Sequence, residues 1–432
     1  MYPNLYYALK DLLGLEIEKL QFVNSFGFFV AIAFVVSAYF LSKELMRKES
    51  EGLLVATEIK VIMGAPASVG ELMINFILGF VFGYKFIGLF LASAPEASDP
   101  QSFIFSLNGN WLAGFVVAFI FAGVKWWEKN KTKLNKPETR IIRIWPHDRV
   151  GDIIIIAAIF GFLGAKIFHN LENWNEFWSD PIAALLSFSG LTFYGGLICA
   201  TLAIFIFSRK HKIVFRQLCD AAAPALILGY AIGRVGCMVS GDGDWGVLNS
   251  AYVLDQQGQV VPASDTAFRS HLKNNTSFYS REYPGKSIDE IPHHYVKAPL
   301  GLPAWTVAYT FPHNVISYGV PIPECTEGLY CRQLPGPVFP TSFYEMIMGV
   351  ILFFVLWSIR KKIKIPGQMF SIYLVLNGLE RFLIEKIRVN TTYTIGGFHP
   401  TQAELISSSM IIGGVLLFYV LKRRNDPKVK VN

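Results

Sequence analysis

Charged residues are scarce in this chain: Asp, Glu, Lys and Arg make up 16% of 432 residues, while 52% are hydrophobic. A soluble globular domain usually carries about a quarter charged residues, so this scarcity argues against an ordinary soluble fold. Cysteine is also scarce, and the five cysteines are too scattered to predict a zinc framework. The first apolar run lacks a small-residue cleavage site, which argues against a cleavable signal peptide. The composition therefore predicts a polytopic membrane protein.

The sequence contains many long apolar runs. A helix needs about 20 mostly apolar residues to cross the hydrocarbon core of a bilayer. Nine stretches meet this requirement, and we expect an all-α polytopic membrane protein with about nine transmembrane helices. The predicted spans lie at roughly 22–42, 70–93, 103–124, 151–170, 186–208, 217–236, 343–359, 367–388 and 403–421.

The loops between these spans differ in charge. Basic runs such as KELMRK, SRKHK and RKKIK follow the first, fifth and seventh spans, whereas the loops 94–101 and 172–180 contain no lysine or arginine. The positive-inside rule therefore places the N-terminus outside and the C-terminus inside. It also explains the net charge of +7, because these basic loops face anionic inner-leaflet lipid. We accordingly expect a lipid bilayer, and no nucleic acid, as the partner of the basic surface.

The spans divide the chain into three predicted parts. Residues 1–239 form the first part of the bundle, 240–338 an extracytoplasmic head domain, and 339–432 the last three helices. The head segment is polar and rich in Pro, Gly, Asn and Tyr, so we expect strands and loops. Cys325 and Cys331 would lie in an oxidising compartment, where a local disulfide is expected and two free thiols are the alternative.

The bundle contains an internal repeat of two helix pairs, 70–124 and 151–208. At a constant offset of 81, the residues Gly83, Lys85, Ser98, Asp99, Pro100, Ser106, Gly109 and Gly114 recur as Gly164, Lys166, Ser179, Asp180, Pro181, Ser187, Gly190 and Gly195. Two spans per copy preserve orientation, so the copies are parallel. The first copy has Trp111-Leu112-Ala113 where the second has Thr192-Phe193-Tyr194. We hypothesise that only the second copy kept a site.

Polar residues within the spans gather at one depth. With the orientation above, all of them fall in the outer leaflet: Lys166, Tyr194, Arg234, Tyr344, Glu345, Glu380, Arg381 and Glu385. A charge within a membrane helix costs roughly 2.5–3.5 kcal/mol on insertion scales. Pairing of Arg381 with Glu385 at i,i+4, and snorkelling of Arg234 to the interface, are the structural explanations. The functional explanation is a pocket for an anionic phospholipid headgroup.

Glycines and an acid near these residues favour the functional explanation, because glycine lets backbone approach a ligand closely. They are Gly195, Gly196, Gly233, Gly236 and Gly246, with Asp242 in the loop after the sixth span.

Four sequence elements resemble the bacterial prolipoprotein diacylglyceryl transferase family. FYGGLI is similar to F-[HY]-G-G-L-I, and GRVGCMVSGDGDWG resembles G-R-x-G-N-F-x-N-G-E-x-x-G. FPTSFYE is similar to H-P-[ST]-Q-L-Y-E, and LERFLIEKIR to F-R-x-x-x-E-x-x-R. The elements occur in the family's order, from about Ser25 to the C-terminus, and the block around Gly79 to His147 looks inserted.

The resemblance implies a multi-pass enzyme of the bacterial cytoplasmic (inner) membrane. It would move the diacylglyceryl group of phosphatidylglycerol onto the lipobox cysteine of a prolipoprotein, forming a thioether and releasing glycerol phosphate. This is the first step of lipoprotein maturation, and it implies neither a cofactor nor a metal.

The same resemblance implies roles for individual residues. Arg234 and Arg381 would bind the headgroup phosphate, Glu385 would orient Arg381, and Tyr194 would act by hydrogen bonding, with the general base left open. Further substrate-binding residues would be Asp242, Gly195, Gly196, Gly236, Gly246, Lys166, Tyr344 and Glu345.

Several positions depart from the family pattern. Phe26, Cys237, Ser240, Phe339 and Ser342 replace residues of the family's motifs. The family's Glu corresponds to Asp242 or Asp244, and Asp242 is preferred because it directly follows Gly241.

Two other readings stay open at this point. An anion or lipid transporter could use the same arginines, although it predicts polar residues throughout the bilayer depth and the inward halves of these spans are apolar. An inactive family member could have kept the fold without the chemistry.

Overall fold

The computed structural model is mainly helical and describes most of the chain. The described residues are 1–92, 103–104, 106–186, 192–255, 257–299, 301–325, 328–390, 393 and 397–424. The predictions that concern the loop 94–101, part of the second repeat's outer loop at 187–191, and the end of the basic C-terminal tail lie outside these ranges.

Eight of the described helices are long and apolar enough to cross a bilayer, which agrees with the predicted polytopic all-α fold. They are Ser25–Ser50, Val69–Leu91, Trp111–Lys131, Pro146–Glu172, Phe193–Lys210, Phe215–Ser240, Thr341–Ile359 and Gln402–Arg424. The chain is a multi-pass membrane protein.

Two predicted spans differ from these helices in an informative way. The span at 367–388 is the helix Gln368–Glu385, whose 18 residues include three charged side chains and so are less apolar than the other eight. The span at 103–124 begins only at Trp111, because the Asn110 side chain accepts the N–H of Ala113 and caps the helix there.

The chain forms two compact units. One comprises Met1–Glu16, Val23–Leu41 and Arg216–Asn432, and is called the arginine unit below. The other comprises Ile17–Phe22 and Ser42–Phe215, and is called the repeat unit.

The repeat unit contains both predicted helix pairs. In the first pair, Val69–Val81 continues through a π-helical turn, Phe82–Ile87, into Gly88–Leu91 and packs against Trp111–Lys131. In the second pair, Val150–Glu172 packs against Phe193–Lys210. Short helices at Trp174–Ser179 and Pro181–Leu186 follow the first helix of the second pair.

A two-stranded antiparallel sheet completes the repeat unit. Strand Thr57–Met63 pairs with strand Glu138–Ile144, so that Thr57 lies opposite Ile144. The first strand follows the helix Ser25–Ser50, and the second follows the helix Trp111–Lys131. Both strands belong to loops that the sequence predicts to be cytoplasmic and basic.

The arginine unit contains the helices that matter most for function. We name three of them by their functional residues: the Arg234 helix (Phe215–Ser240), the Glu345 helix (Thr341–Ile359) and the Arg381 helix (Gln368–Glu385). Their shared core includes Ala223 and Ile227 of the first helix, Phe353 of the second and Met369 of the third.

The start of the Arg381 helix is held by a side chain of the Arg234 helix. The carboxylate of Asp220 accepts hydrogen bonds from the backbone N–H groups of Gly367 at 2.7 Å and Phe370 at 2.9 Å. The first N–H groups of a helix have no partner within the helix, so this buried carboxylate caps the Arg381 helix from outside.

The head segment contains short strands, as predicted, and also two helices that were not predicted. The strands pair as Leu248–Asn249 with His293–His294, Tyr252–Leu254 with Val260–Pro262, and Val320–Pro321 with Arg332–Gln333. The helices are Asp265–Asn274 and Thr276–Glu282, and the first buries Phe268 and Leu272 at i,i+4. Cys325 and Cys331 form the expected disulfide.

Candidate active site

Arg234 lies in the penultimate turn of its helix, where the apolar run reaches the head loop. Its side chain is 22% exposed, and its guanidinium carbon lies 5.2 Å from the centre of the Tyr230 ring, one turn earlier. A guanidinium over an aromatic face is attracted by the ring's quadrupole. The Tyr230 ring therefore holds Arg234 at a fixed place near the end of the span.

Glu345 joins Arg234 to Arg381. It lies in the first turns of its helix, is completely buried, and its Oε2 is 3.4 Å from Nη1 of Arg234. Its Oε1 lies 3.4 Å from Nη1 of Arg381. A buried carboxylate needs such compensation, because desolvation alone costs several kcal/mol. The two arginines predicted to share a site thus meet at one carboxylate.

Arg381 has a second carboxylate partner on its own helix. Its Nη2 lies 3.0 Å from Oε2 of Glu385, one turn later. Glu385 is buried and also accepts a 2.7 Å hydrogen bond from the side-chain amide of Asn390. The predicted i,i+4 pair is therefore present, and it fixes the plane of the Arg381 guanidinium.

Asp244 and Arg388 complete the cluster. From the sequence, Asp244 was only the alternative to the preferred Asp242, and Arg388 was not named as a site residue. The Asp244 carboxylate contacts Nη1 of Arg234, and its Oδ1 accepts a 2.6 Å hydrogen bond from Nη2 of Arg388. Arg388 also brings Nη1 to 3.9 Å from Oε1 of Glu345. Burial by itself raises the pKa of Asp244, but the charges of Arg234 and Arg388 outweigh it and lower the pKa to about 2. Arg388 is the last residue of LERFLIEKIR, so the matching element contained the signal for it.

Backbone pairing determines where Asp244 lies. The N–H of Gly246 donates to the Phe339 carbonyl at 2.9 Å, and the N–H of Val247 donates to the Ile387 carbonyl at 2.8 Å. The Thr341 hydroxyl donates to the Asp244 carbonyl at 2.8 Å. A Cβ at position 246 would lie 2.5 Å from the Ile387 carbonyl oxygen, so the close approach requires glycine.

Asp242, the residue preferred from the sequence, lies beside this cluster. Its Oδ1 accepts the backbone N–H of Asp244 at 3.4 Å. Burial raises the pKa of Asp242, the opposite of the shift at Asp244. The ion pairs with Arg234 and Arg388 belong to Asp244, while a role of Asp242 toward the headgroup stays a prediction.

Two other predicted substrate-binding residues have structural partners. The Tyr344 hydroxyl donates to the Thr306 carbonyl at 2.7 Å and so ties the Glu345 helix to the head. A Cβ at Gly236 would lie 3.0 to 3.3 Å from Phe26 and Phe29, so this glycine permits helix packing.

The predicted site residues Lys166, Tyr194, Gly195 and Gly196 belong to the repeat unit. Tyr194 lies in the first turn of the helix Phe193–Lys210. A Cβ at Gly195 would lie 2.5 Å from the Gly164 carbonyl oxygen, and one at Gly196 would lie 2.8 Å from that of Gly161. These glycines therefore bring the two helices of the second pair together. Lys166 is buried in the same pair.

Glu380 is a further buried carboxyl near the arginines. It is 3% exposed, and its Oε1 accepts a hydrogen bond from the Tyr230 hydroxyl at 3.2 Å. Its Oε2 is buried and has no hydrogen-bond partner within the described part of the chain. Tyr230 therefore contacts both Glu380 and Arg234. In the family pattern quoted above, this position is Phe.

One group of side chains has the composition of a metal site. Cys237, Asp242 and Asp244 offer ligand atoms that lie within 4.8 Å of one another. Both oxygens of Asp244 already pair with arginines, and a cation would have to displace them. We therefore assign these residues to the arginine cluster.

The cluster as a whole is a network of ion pairs between arginines and carboxylates. It joins three guanidiniums, from Arg234, Arg381 and Arg388, through the carboxylates of Asp244 and Glu345. Each guanidinium has five N–H donors, and the ion pairs described for Arg234 all involve Nη1. Donors therefore remain for a ligand, and fixed arginines with partly exposed side chains suit a phosphate.

Comparison with known proteins identifies the family of this chain. The family model described as prolipoprotein diacylglyceryl transferase matches residues 104–420. A phosphatidylglycerol–prolipoprotein diacylglyceryl transferase of Dehalococcoides mccartyi is 27% identical over 286 residues, or 66% of this chain and 82% of the relative. The protein of that name from Clostridium novyi is 26% identical over 284 residues, covering 66% and 83%. That from Pseudoalteromonas atlantica is 24% identical over 324 residues, covering 73% and 84%. Since the family match extends over well more than half of its length, the chain belongs to the prolipoprotein diacylglyceryl transferase family.

Proposed function

We propose that this protein transfers the diacylglyceryl group of phosphatidylglycerol to the thiol of a prolipoprotein cysteine. The product is a thioether, and glycerol phosphate is released. Family membership supports this reaction, and the relatives described above carry the corresponding name. The enzyme is a phosphatidylglycerol–prolipoprotein diacylglyceryl transferase.

The observation that carries the assignment is the meeting of Arg234 and Arg381 at Glu345. The two guanidiniums come from different helices, yet both lie 3.4 Å from one buried carboxylate. Convergent arginines at the end of an apolar span fit a lipid whose phosphate lies at the membrane surface. We assign Arg234 and Arg381 to that phosphate, with Arg388 as a third cation beside it.

The chemistry explains why arginines are needed. The thiolate sulfur forms a bond to the glycerol carbon, and the bond from that carbon to the phosphate oxygen breaks, leaving its electrons on the phosphate. Charge thus develops on the departing phosphate. Fixed donors aimed at developing charge are usually the largest contribution to catalysis, and losing one costs about 10²- to 10³-fold in kcat.

Glu385, Asp244 and Glu345 would act by positioning. Their carboxylates hold the three guanidiniums in a defined arrangement before substrate binds, so little reorganisation is needed during the reaction. Gly236 would let the Arg234 helix pack closely against Phe26 and Phe29, and Gly246 would let the Asp244 loop approach the Ile387 carbonyl.

The thiol proton needs an acceptor, because a free cysteine has a pKa near 8.5. Glu380 is suited to this role, since its Oε2 is outside the ion pairs and hydrogen bonds described for the cluster. We propose that Glu380 receives the proton and that Tyr230 fixes its orientation through the hydrogen bond to Oε1. Tyr194, Lys166, Gly195 and Gly196 keep their predicted roles in substrate binding, with Tyr194 as a hydrogen-bonding group.

The acceptor cysteine would be that of a lipobox at the end of a signal peptide. The protein would lie in the bacterial cytoplasmic (inner) membrane, with the head outside and the C-terminus inside. The distribution of basic loops supports this orientation.

Reconstitution tests the proposal directly. Purified protein in phosphatidylglycerol vesicles is mixed with a lipobox peptide, and the peptide's mass and the released glycerol phosphate are measured. We expect Arg234→Lys and Arg381→Lys each to lower kcat at least 10²-fold, because lysine cannot form the bidentate contact. Arg269→Lys is the matched control, since Arg269 pairs with Asp265 and Asp289 on the head surface.

The assignment fails if the unaltered protein leaves the peptide mass unchanged. It also fails if both arginine variants modify the peptide at the unaltered rate. A peptide with Ser in place of the lipobox Cys should gain no mass in either case.

A further inference from the structure

One stretch of the head is almost free of charge. Residues 291–323 include a single charged side chain, that of Lys297, whereas residues 255–290 include nine. Within this stretch Tyr295, Val296, Leu302 and Trp305 are large hydrophobic residues exposed at the surface, Leu302 by 54% and Trp305 by 42%. We call residues 295–299 and 301–305 the apolar segment. Exposed apolar surface of this kind marks contact with a partner or a membrane.

The apolar segment is attached to the start of a membrane-spanning helix. The Trp305 ring lies 5.1 Å from the Phe343 ring, edge to face, and the Tyr344 hydroxyl donates to the Thr306 carbonyl at 2.7 Å. Phe343 and Tyr344 belong to the first turn of the Glu345 helix, which is long and apolar enough to cross a bilayer. The segment therefore lies at the level where this helix reaches the membrane surface.

Phe343 also begins a helix face that meets lipid. Positions 343, 347, 350 and 354 have the i, i+4, i+7, i+11 spacing that places side chains on one face of a helix. Ile347, Val350 and Phe354 are exposed on that face. Trp305, packed on Phe343, continues this lipid-facing surface beyond the end of the helix.

An open recess joins the same elements. It has a volume of about 530 Å³ and mainly apolar walls, which include Val296 of the apolar segment, Tyr344 of the Glu345 helix and Ile387 after the Arg381 helix. Lys386 also lines the recess, with its charge paired with Glu404. Apolar surface of the head thus adjoins the ends of two membrane helices.

The residue types of the segment favour lipid as the partner. Tyrosine and tryptophan are enriched where a membrane meets water. Lys297 has its ammonium 6.0 Å from the centre of the Tyr295 ring and can attract an anionic headgroup. The described backbone of the segment is irregular up to a 3₁₀ turn at Ala304–Thr306. Irregular backbone facing lipid is not tolerated in the hydrocarbon core, so the segment suits the headgroup level.

We propose that the apolar segment lies on the adjoining leaflet of the membrane and binds phospholipid there. Tyr295, Leu302 and Trp305 contact the upper parts of the acyl chains, and Lys297 contacts the headgroups. This inference needs the membrane fold but not the transfer reaction. Because Tyr344 directly precedes Glu345, the contact holds the head against the membrane beside the arginine cluster.

Photo-crosslinking of the full-length protein in phosphatidylglycerol vesicles is the first test. Leu302→p-benzoylphenylalanine places a photoreactive group in the segment, and the mass of the irradiated protein identifies what it contacts. Arg269→p-benzoylphenylalanine is the matched control, since the Arg269 side chain is 56% exposed on a charged face of the head. We expect the mass gain of one phospholipid at position 302, at least tenfold more often than at position 269.

Other products would overturn the proposal. A product of twice the protein mass at position 302 would identify a second copy of the chain as the partner. With a lipobox peptide present, a peptide adduct in place of the lipid adduct would identify a surface for the acceptor. Equal lipid adducts at positions 302 and 269 would show no preference of the segment for lipid. None of these outcomes depends on whether the transfer reaction occurs.

Fluorescence quenching is a second test that leaves Leu302 unchanged. The emission that Trp305→Phe removes is the contribution of Trp305, and it is measured in vesicles of phosphatidylglycerol with and without bromine on the upper acyl carbons. We expect bromine to reduce this contribution at least twofold. An equal contribution in the two kinds of vesicle would place Trp305 away from lipid and refute the proposal.

Discussion

Glu345 lies between Arg234 and Arg381: its Oε2 is 3.4 Å from Nη1 of Arg234, and its Oε1 is 3.4 Å from Nη1 of Arg381. This buried carboxylate joins three helices, because each of the three residues belongs to a different one. The arrangement compensates the charges of two arginines from different helices with one buried carboxylate.

The first prediction concerns this shared carboxylate. Glu345→Gln keeps the shape of the side chain but leaves the two guanidiniums without its charge. Removing one partner of a buried ion pair typically costs about 3–5 kcal/mol, so we expect a clear fall in the thermal unfolding temperature in detergent. Glu58→Gln, on an exposed strand residue paired with Arg143, should leave that temperature unchanged. An equal effect of both changes would contradict the structural role of Glu345.

The second prediction concerns pH and uses the opposite shifts at Asp244 and Asp242. The folded pKa of Asp244 is about 2, below its ordinary value of 3.8. Its stabilising effect is therefore complete above pH 3.8 and is lost as the pH falls toward 2. The shift corresponds to an upper limit on the order of 2 kcal/mol, and Asp244→Asn should remove this part of the acid sensitivity.

Asp242 serves as the control with the opposite sign. Its folded pKa is raised by burial, so its ionisation destabilises the fold as the pH rises above 3.8. At neutral pH, Asp242→Asn should therefore cost less stability than Asp244→Asn. Chemical unfolding curves between pH 2 and pH 7 measure both effects, and the reverse order would refute the assignment of the ion pairs to Asp244.

The third prediction concerns Gly246. In Gly246→Ala the new methyl group would lie 2.5 Å from the Ile387 carbonyl oxygen and would push the Asp244 loop away from Arg388. Overpacking of this kind costs typically 1–3 kcal/mol, and we expect transferase activity to fall more than stability does. Gly413→Ala has open space around the added methyl, so its activity should be normal. The vesicle assay and thermal unfolding, run in parallel, separate the two effects.

The fourth prediction concerns the proton acceptor. If Glu380 takes the thiol proton, Glu380→Gln should lower kcat/KM about 10²- to 10⁴-fold and remove the acidic limb of its pH profile. A purely structural role would lower the rate without changing the shape of that profile. Glu404→Gln is a control in the same unit, because the Glu404 carboxylate pairs with Lys386. Retention of the acidic limb in Glu380→Gln would rule out this role.

The membrane fold and much of the arginine cluster could both be predicted from the contrast between apolar runs and the few charges within them. A charge is rare in an apolar helix, so Arg234, Glu345, Arg381 and Glu385 stand out without any structure. They do come together around Glu345 and Arg381.

The cluster residues that were missed, or placed second as Asp244 was, lie beyond the helix ends. Asp244 and Arg388 occur in polar segments, where a charge is ordinary, and local sequence does not distinguish Asp244 from Asp242. Their positions depend on long-range backbone pairing of Gly246 with Phe339 and of Val247 with Ile387. The helix Asp265–Asn274 escaped prediction because ten residues give only a short periodic pattern.

The Asp220 cap has a consequence for distant substitutions. Asp220 precedes Arg234 by 14 residues on one helix, which corresponds to about 21 Å along its axis. The Arg234 helix and the Arg381 helix are therefore linked near both ends. At one end the Asp220 carboxylate accepts backbone N–H groups at the start of the Arg381 helix. At the other end Arg234 and Arg381 both pair with Glu345. Replacing Asp220 would remove the cap from the start of the Arg381 helix. We therefore expect a substitution at this distance to disturb the position of Arg381 without changing any residue of the cluster.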